Sequence, residues 1–256
     1  MPPESRISDE ILSCALPPDE DYFAELSSSI SWEDVGKGRQ GAVLARVDEA
    51  GGVPLVRTTT RYASPTQRFR AVHERLAREV REQAELTVAF NNALIEKYTN
   101  AYRTMGGHSD QALDLADGSF IAVFSCYEHP GARPQRKLIF ESKTFDGEGF
   151  EVPLAHNSVV AFSVDTNRRL RHRIVLDKAA RPVDNRWLGV TFRTSKTLLR
   201  FDGGDAYLPE GERLALADEE KRIEFYRLRR RENNEPDFVY PRLTYTISES
   251  DLIPPA

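Results

Sequence analysis

From residue 119 onward the chain runs through short apolar or alternating segments at regular intervals. These are SFIAVFSCY (119–127), RKLIF (136–140), FEVPL (150–154), SVVAFSV (158–164), HRIVL (172–176) and WLGVTFRT (187–194). The turn clusters HPGARP and FDGEGF and the polar turn DTNRR separate them. Apolar runs this short, spaced this evenly and punctuated by Gly, Pro and Asn, predict a mainly β fold, a sandwich or barrel with flanking helices. Upstream, AVLAR (42–46) and VPLVRTTT (53–60) read as strands on either side of a turn at Glu49-Ala50-Gly51-Gly52.

Helical spacing first appears after residue 64. Ser64 as N-cap, Pro65 at the first position and Gln67 three residues on form a capping-box pattern, and Phe69, Val72, Leu76 and Val80 follow on one face. His73 on this helix is expected to be structural or exposed. A second helix is expected at 217–233 and a last extended piece at LTYTI (243–247), while residues 1–25 read as a polar, proline-containing arm. The expected organisation is a single domain, 1–256. Residues 1–87 supply N-terminal strands and a buttressing helix, 88–200 the β core, and 201–256 a helix and extended tail.

Composition narrows the partners. The net charge of −5 resides wholly in residues 201–256, which hold 13 acidic and 8 basic side chains, so residues 1–200 are neutral. A protein that lives on phosphate contacts usually carries a basic excess, and none is present overall. No apolar run reaches the ~18–20 residues needed to span a bilayer, and the start, MPPESRISDE, has no basic region followed by an apolar one. Neither a membrane partner nor a secretory leader is expected. Two cysteines, Cys14 and Cys126, cannot build a disulfide framework, so a reducing, cytoplasmic setting is the expectation.

The candidate chemistry centres on MGGHSDQALDL (105–115). His108 and Asp110 are two apart, so in an extended segment both side chains point to one side. Two imidazoles and one carboxylate on one face of an octahedron are what a mononuclear iron(II) oxygenase site requires. The third ligand must then come from a distant strand. Of the five histidines, His73 lies on the helix, His129 in EHPGARP, a loop with two prolines, and His156 opens a turn. His172 begins a strand after SVVAFSV and a turn, and is preferred over His156. Asp114 could compete with Asp110, but four-residue spacing suits a helix.

Three stretches together carry a resemblance: NNALIEKYTNAYRTMGGHSDQALDLADGSFIAVFS, LAHNSVVAFSVDTNRRLRHRIVL and RWLGVTFRTSK. Over roughly residues 88–197 the chain resembles the AlkB-like branch of the Fe(II)/2-oxoglutarate-dependent dioxygenases. The resemblance implies a double-stranded β-helix (jelly-roll) core with His108, Asp110 and His172 as iron(II) ligands. It implies 2-oxoglutarate and O2 as cosubstrates, the oxo acid being decarboxylated to succinate as a C–H bond is hydroxylated. Tyr98 matches the tyrosine of the family's Asn-x-Tyr element, which hydrogen-bonds the oxo acid. Glu96 stands where that Asn would be, with Asn92 a weaker substitute one turn earlier.

A guanidinium suits the far carboxylate of the oxo acid. Arg193, in the pattern Arg193-Thr194-Ser195, is the first choice and Arg186 the second, with Ser195 part of the same cofactor-binding set. Seven residues separate the two arginines, so in one unbroken strand they would face opposite ways. Either Arg186 precedes the strand or Gly189 permits a bulge.

The family's nucleobase demethylases often carry acidic residues after the His-x-Asp element. Here Gln111-Ala112-Leu113 follows, which tilts the expectation to a small polar substrate such as an amino acid or metabolite. Oxidation of alkylated nucleic acid or of protein is the alternative, and a non-catalytic jelly-roll binding module the third reading. Arg168, Arg169, Arg171 and Arg173 crowd around His172. They read as a solvated strand edge in preference to a patch for an anionic partner.

Overall fold

The computed structural model describes residues 7–17, 21–144 and 149–256. In chain order the N-terminal elements are β1 (Ile11–Ala15), α1 (Tyr22–Ser29), β2 (Glu33–Gly36), β3 (Arg39–Ala45), β4 (Val53–Leu55), β5 (Gln67–Arg68) and α2 (Ala71–Gln83). The central elements are β6 (Asn92–Tyr98), β7 (Phe120–Tyr127), β8 (Arg136–Ser142), β9 (Gly149–Leu154), β10 (Ser158–Ser163), α3 (Val164–Arg169), β11 (Leu170–Leu176) and β12 (Trp187–Arg193). The chain continues through β13 (Thr197–Asp202), β14 (Asp205–Tyr207), β15 (Ala215–Leu216), α4 (Glu219–Asn234) and β16 (Tyr245–Thr246).

A large sheet runs β1-β10-β7-β12-β6-β3-β2, and a small sheet runs β11-β8-β9. The free edge of β11 is taken by the segment before Asp110, through bridges Thr104↔Val175 and His108↔His172. The chain therefore alternates between sheets: β6 large, 104–108 small, β7 large, β8 and β9 small, β10 large, β11 small, β12 large. These eight antiparallel segments in two facing sheets make a jelly-roll core.

Both faces of the large sheet are covered, which is why its strands read as unbroken apolar runs. Ile121, Val123, Val160 and Phe162 face the small sheet and pack with Leu138, Phe140, Val152 and Ile174. The alternate residues Ala122, Phe124, Val159 and Ala161 pack on Tyr22 and Leu26 of α1 and on Leu76 and Val80 of α2. The small sheet is buried on one face, and the pattern of β11, LRHRIVL, alternates accordingly.

Several elements differ from the sequence reading. The helix expected from Ser64 begins at Ala71. Its capping box is made by Arg70 and His73, whose Nδ1 accepts from the Arg70 N–H at 2.9 Å. Strand pairing wins over the Ser64 cap: Gln67 and Arg68 pair in parallel with Leu44 and Ala45, and the Ser64 N–H donates to Glu33. His73 is structural, buried and bonded to Ser29 Oγ at 2.9 Å. The N-terminal arm is ordered over Ile11–Ala15, which pairs along the whole of β10. Residues 1–6 and 18–20 of that arm, and most of the expected turn FDGEGF, lie outside the described residues.

The expected turn DTNRR is instead helix α3, capped by Ser163 Oγ accepting from the Thr166 N–H at 3.0 Å. In VPLVRTTT only Val53–Leu55 is strand, and in LTYTI only Tyr245–Thr246. Cys14 and Cys126 are free thiols. Among the described residues no helix is long and apolar enough to cross a membrane.

Candidate metal centre

At the mouth between the two sheets, one ligand-type atom each from His108, Asp110 and His172 lies within 4.8 Å of the others. The bridge between residues 108 and 172 puts the two imidazoles side by side. The backbone bonds are His108 N–H to His172 O (3.0 Å) and His172 N–H to His108 O (2.7 Å), and the ring centroids are 4.6 Å apart. Asp110 Oδ1 lies 3.7 Å from His108 Nε2 and 3.6 Å from His172 Nε2. His108 Nδ1 is 3.0 Å from the Gly106 carbonyl. A carbonyl can only accept, so Nδ1 carries the proton and Nε2 is left with its lone pair towards the other two.

Electrostatics act on His108 and Asp110 in opposite ways. Desolvation, then the neighbouring His172, pushes the His108 pKa down to about 4, so its imidazole is neutral near pH 7. Burial works to raise the Asp110 carboxyl, but Arg193 and the histidines outweigh it and hold the group well below the usual carboxylate range. Arg193 Nε and Nη2 both sit 2.6 Å from Asp110 Oδ2. One carboxylate oxygen is thus tied to the guanidinium and the other faces the histidines.

Beyond His108 the segment leaves the sheet, and its backbone groups need partners from elsewhere. Asn167 of α3 supplies both for Asp110: its Oδ1 accepts from the Asp110 N–H and its Nδ2 donates to the Asp110 carbonyl, each at 2.8 Å. Helix α4 supplies the rest. Asn233 Oδ1 accepts from the Ser109 N–H at 3.0 Å, Arg229 Nη2 donates to the Ser109 carbonyl at 2.7 Å, and Glu232 Oε1 accepts from the Ala112 N–H at 2.8 Å. Such outer bonds fix where a ligand carboxylate can stand.

A cavity of about 350 Å³ opens beside the triad. Its walls include Leu94 and Glu96 of β6, Arg39 of β3, Tyr102, Gln111 and Arg229. Arg39 Nε pairs with Glu96 Oε1 at 2.8 Å, and its Nη2 donates to Thr60 Oγ1.

Of the residues singled out in the sequence, His108, Asp110, His172 and Arg193 come together; the others do not. Arg193 touches Asp110 of the triad, so it stands at the triad end of the cavity rather than at a position remote from it. Arg186 lies outside, in the loop before β12, with Nε 2.6 Å from Glu128 Oε2. The odd interval is explained by that loop and not by a bulge, since β12 keeps unbroken register with β6 and β7 through Gly189. Tyr98 is fully buried; its hydroxyl donates to Glu96 Oε2 at 2.7 Å, and the rings of Tyr102 and Trp187 cover it. Its pKa is raised by burial and by Glu96.

Ser195 Oγ donates to the Leu55 and Thr197 carbonyls, pinning the β12–β13 corner to β4. Asn92 Nδ2 donates to the Pro54 carbonyl at 3.4 Å, also away from the triad. Asp114 is ion-paired with buried Arg57 at 2.8 Å and is no ligand, and His156 Nδ1 accepts from the Tyr127 N–H. Arg168, Arg169 and Arg173 are paired with Asp117, Glu10 and Glu141, Arg171 is not among these pairs, and β11 is no open edge, because residues 104–108 pair with it. Asn167, Arg229, Glu232 and Asn233 carry no local motif that would have marked them, because their partners are set by packing.

No family model matches the chain, and no curated protein does. Among solved structures, that of OsALKBH1 is similar with a TM-score of 0.41 and 15% sequence identity, covering 64% of this chain and 84% of that one. The fold assignment rests on the sheet topology itself.

Proposed function

We propose that the chain is an iron(II)- and 2-oxoglutarate-dependent dioxygenase that hydroxylates a C–H bond of a small polar substrate. The observation that carries this reading is the convergence of His108, Asp110 and His172 at the mouth of a jelly roll, beside a cavity. Two imidazoles and one carboxylate, grouped on one side, suit non-haem iron(II) and leave positions open for other ligands. The residues present fit the metal: the His108 tautomer is set by Gly106, and the carboxylate is oriented by Arg193 and Asn167. Bound iron, with the oxo acid as electron donor, would supply the activation of oxygen that the protein itself cannot perform.

The chain's own groups would bind and orient. Arg193 places positive charge next to the iron ligand Asp110, where the near carboxylate of the oxo acid would lie. Arg39 reaches the cavity from the Glu96 level of β6, four residues along the strand from the Asn92–Arg193 pair, roughly 13 Å at the usual rise. Arg39 would meet the far carboxylate, in place of Arg193, the first choice from the sequence, and of Arg186, the second. Leu94 and Tyr102 give the middle of the cavity an apolar wall that limits water.

The volume, about 350 Å³, falls at the small end of the ~300–1,000 Å³ usual for ligand pockets. It suits the oxo acid plus a small molecule. The neutral 1–200 region and the paired arginines of the His172 edge favour that substrate class over nucleic acid. Anaerobic addition of iron(II) and 2-oxoglutarate should give a weak visible charge-transfer band that His108→Ala abolishes. Absence of the band in the wild type would sink the oxygenase reading. Turnover of a methylated oligonucleotide, falling steeply with salt, would overturn the small-molecule preference.

A further inference from the structure

Two side chains on the cavity wall have hydrogen-bonding groups that nothing in the protein satisfies. Gln111 is 4% exposed, and neither its Nε2 nor its Oε1 has a partner. Arg229 is 5% exposed; its Nη1 and Nη2 are used by Glu232 and the Ser109 carbonyl, but its Nε has no partner. Both residues border the cavity that also touches His108 and Asp110. A buried polar group left unpaired costs about 1–3 kcal/mol, and such groups are scarce in native proteins. Two of them at one cavity imply that its occupant completes their bonds.

The chain has gone to some length to hold them there. The backbone on either side of Gln111 is pinned to α4 through Ser109 and Ala112, so the side chain is fixed relative to the triad. The terminal torsion of a glutamine is broad, and the carboxamide can turn either edge to a ligand without disturbing that backbone.

Charge decides what the ligand is. The four cavity guanidiniums each have a carboxylate: Arg39 with Glu96, Arg57 with Asp114, Arg193 with Asp110 and Arg229 with Glu232. Divalent iron and the 2-oxoglutarate dianion cancel each other. With Arg39 taken up by the oxo acid and the charges balanced, the site offers no excess positive charge to an anionic substrate, and an uncharged group is the better partner for Gln111. A carboxylate could accept from Gln111 Nε2 and Arg229 Nε, but it would leave Gln111 Oε1 facing another acceptor. A group with an N–H beside a C=O satisfies all three.

We infer that Gln111 and Arg229 form a substrate subsite that reads an amide edge, an N–H next to a carbonyl, on a small uncharged or zwitterionic molecule. Helix α4 is the element that brings this subsite to the metal centre, giving residues 201–256 a part in specificity. The inference rests on the oxygenase reading for the place of the reaction, not for the recognition chemistry.

The test is anaerobic calorimetric titration of the chain, with and without iron(II) and 2-oxoglutarate. The probes are matched pairs of amide and acid: L-asparagine and L-aspartate, L-glutamine and L-glutamate, nicotinamide and nicotinate. The expected result is that at least one amide binds roughly tenfold or more tightly than its acid. Gln111→Met should abolish that preference while raising the melting temperature of the free protein, because it removes two unpaired buried polar atoms. A glutamine with a purely structural role would give the opposite stability change. Equal binding of amide and acid, no binding of any amide, or a preference retained in Gln111→Met would each overturn the inference. So would binding of a uracil-containing oligonucleotide without binding of any small amide. The charge-transfer band measured on the same samples separates the two failures: a band without amide preference leaves the oxygenase reading standing, and amide preference without a band does the reverse.

Discussion

Replacing Asn167 by Ala tests how the triad's carboxylate is placed. In the wild type the Asn167 carboxamide, 1% exposed, closes a two-bond ring with the backbone of Asp110, itself 7% exposed. Truncation strands one buried N–H and one buried carbonyl, each costing about 1–3 kcal/mol, so the loss of stability should be roughly 2–6 kcal/mol. For a chain of this size each kcal/mol shifts Tm by about 2–4 °C, which makes the change easy to see. Freed of that bond pair, Asp110 keeps Arg193 on its side chain and the α4 bonds on its neighbours but loses its own backbone anchor, and divalent-metal affinity should fall about 10–100-fold. The assay is urea denaturation of the metal-free protein alongside anaerobic titration with iron(II) or cobalt(II). Asn167→Asp keeps the acceptor and loses the donor, and should fall between wild type and Ala on both readouts. If Asn167→Ala keeps wild-type stability within ~0.5 kcal/mol and binds metal as well, the backbone ring is not what positions the ligand.

Two further outcomes follow from groups away from the triad. Burial lifts the Asp251 carboxyl to about 6, against the bond from Thr246 and the charge of Arg57, which pull it down. The folded protein thus holds this proton more tightly than the unfolded chain does. The associated stability is complete below about pH 4 and is lost as pH rises through about 6, an effect of order 3 kcal/mol at most. Asp251→Asn should therefore match the wild type near pH 4 and exceed it at pH 7.5 in urea melts; a difference independent of pH would refute the assignment. For the cosubstrate, Arg39→Met should raise the dissociation constant of 2-oxoglutarate at least about tenfold, whereas Arg186→Ala, on the outer surface, should leave it unchanged. The reverse order in calorimetry would place the far carboxylate elsewhere.

The amino-acid pattern alone determined most of the core strands and marked His108, Asp110 and His172 as candidates for one site. Alternation in LRHRIVL and unbroken apolar runs in SFIAVFSCY and SVVAFSV are local consequences of one-sided and two-sided burial. His108 and Asp110, two apart, share a side for the same local reason, and His172 is picked out by its place at the head of a strand. Where the pattern misled, a long-range partner outbid a local signal. Ser64 had a good capping sequence, yet residues 67–68 found a strand to pair with in β3. Arg193 was read from the sequence as the clamp on the far carboxylate, but packing put it against Asp110 and left Arg186 outside.

The supports of the triad were decided by tertiary structure entirely. Asp110 depends on Asn167, 57 residues away, and Ser109 and Ala112 depend on α4, 124 and 120 residues away. Periodicity speaks for a residue and its near neighbours, since burial on one face repeats with the geometry of the element. Which distant side chain satisfies an unpaired backbone group depends on how finished elements dock, and no spacing in the chain encodes that.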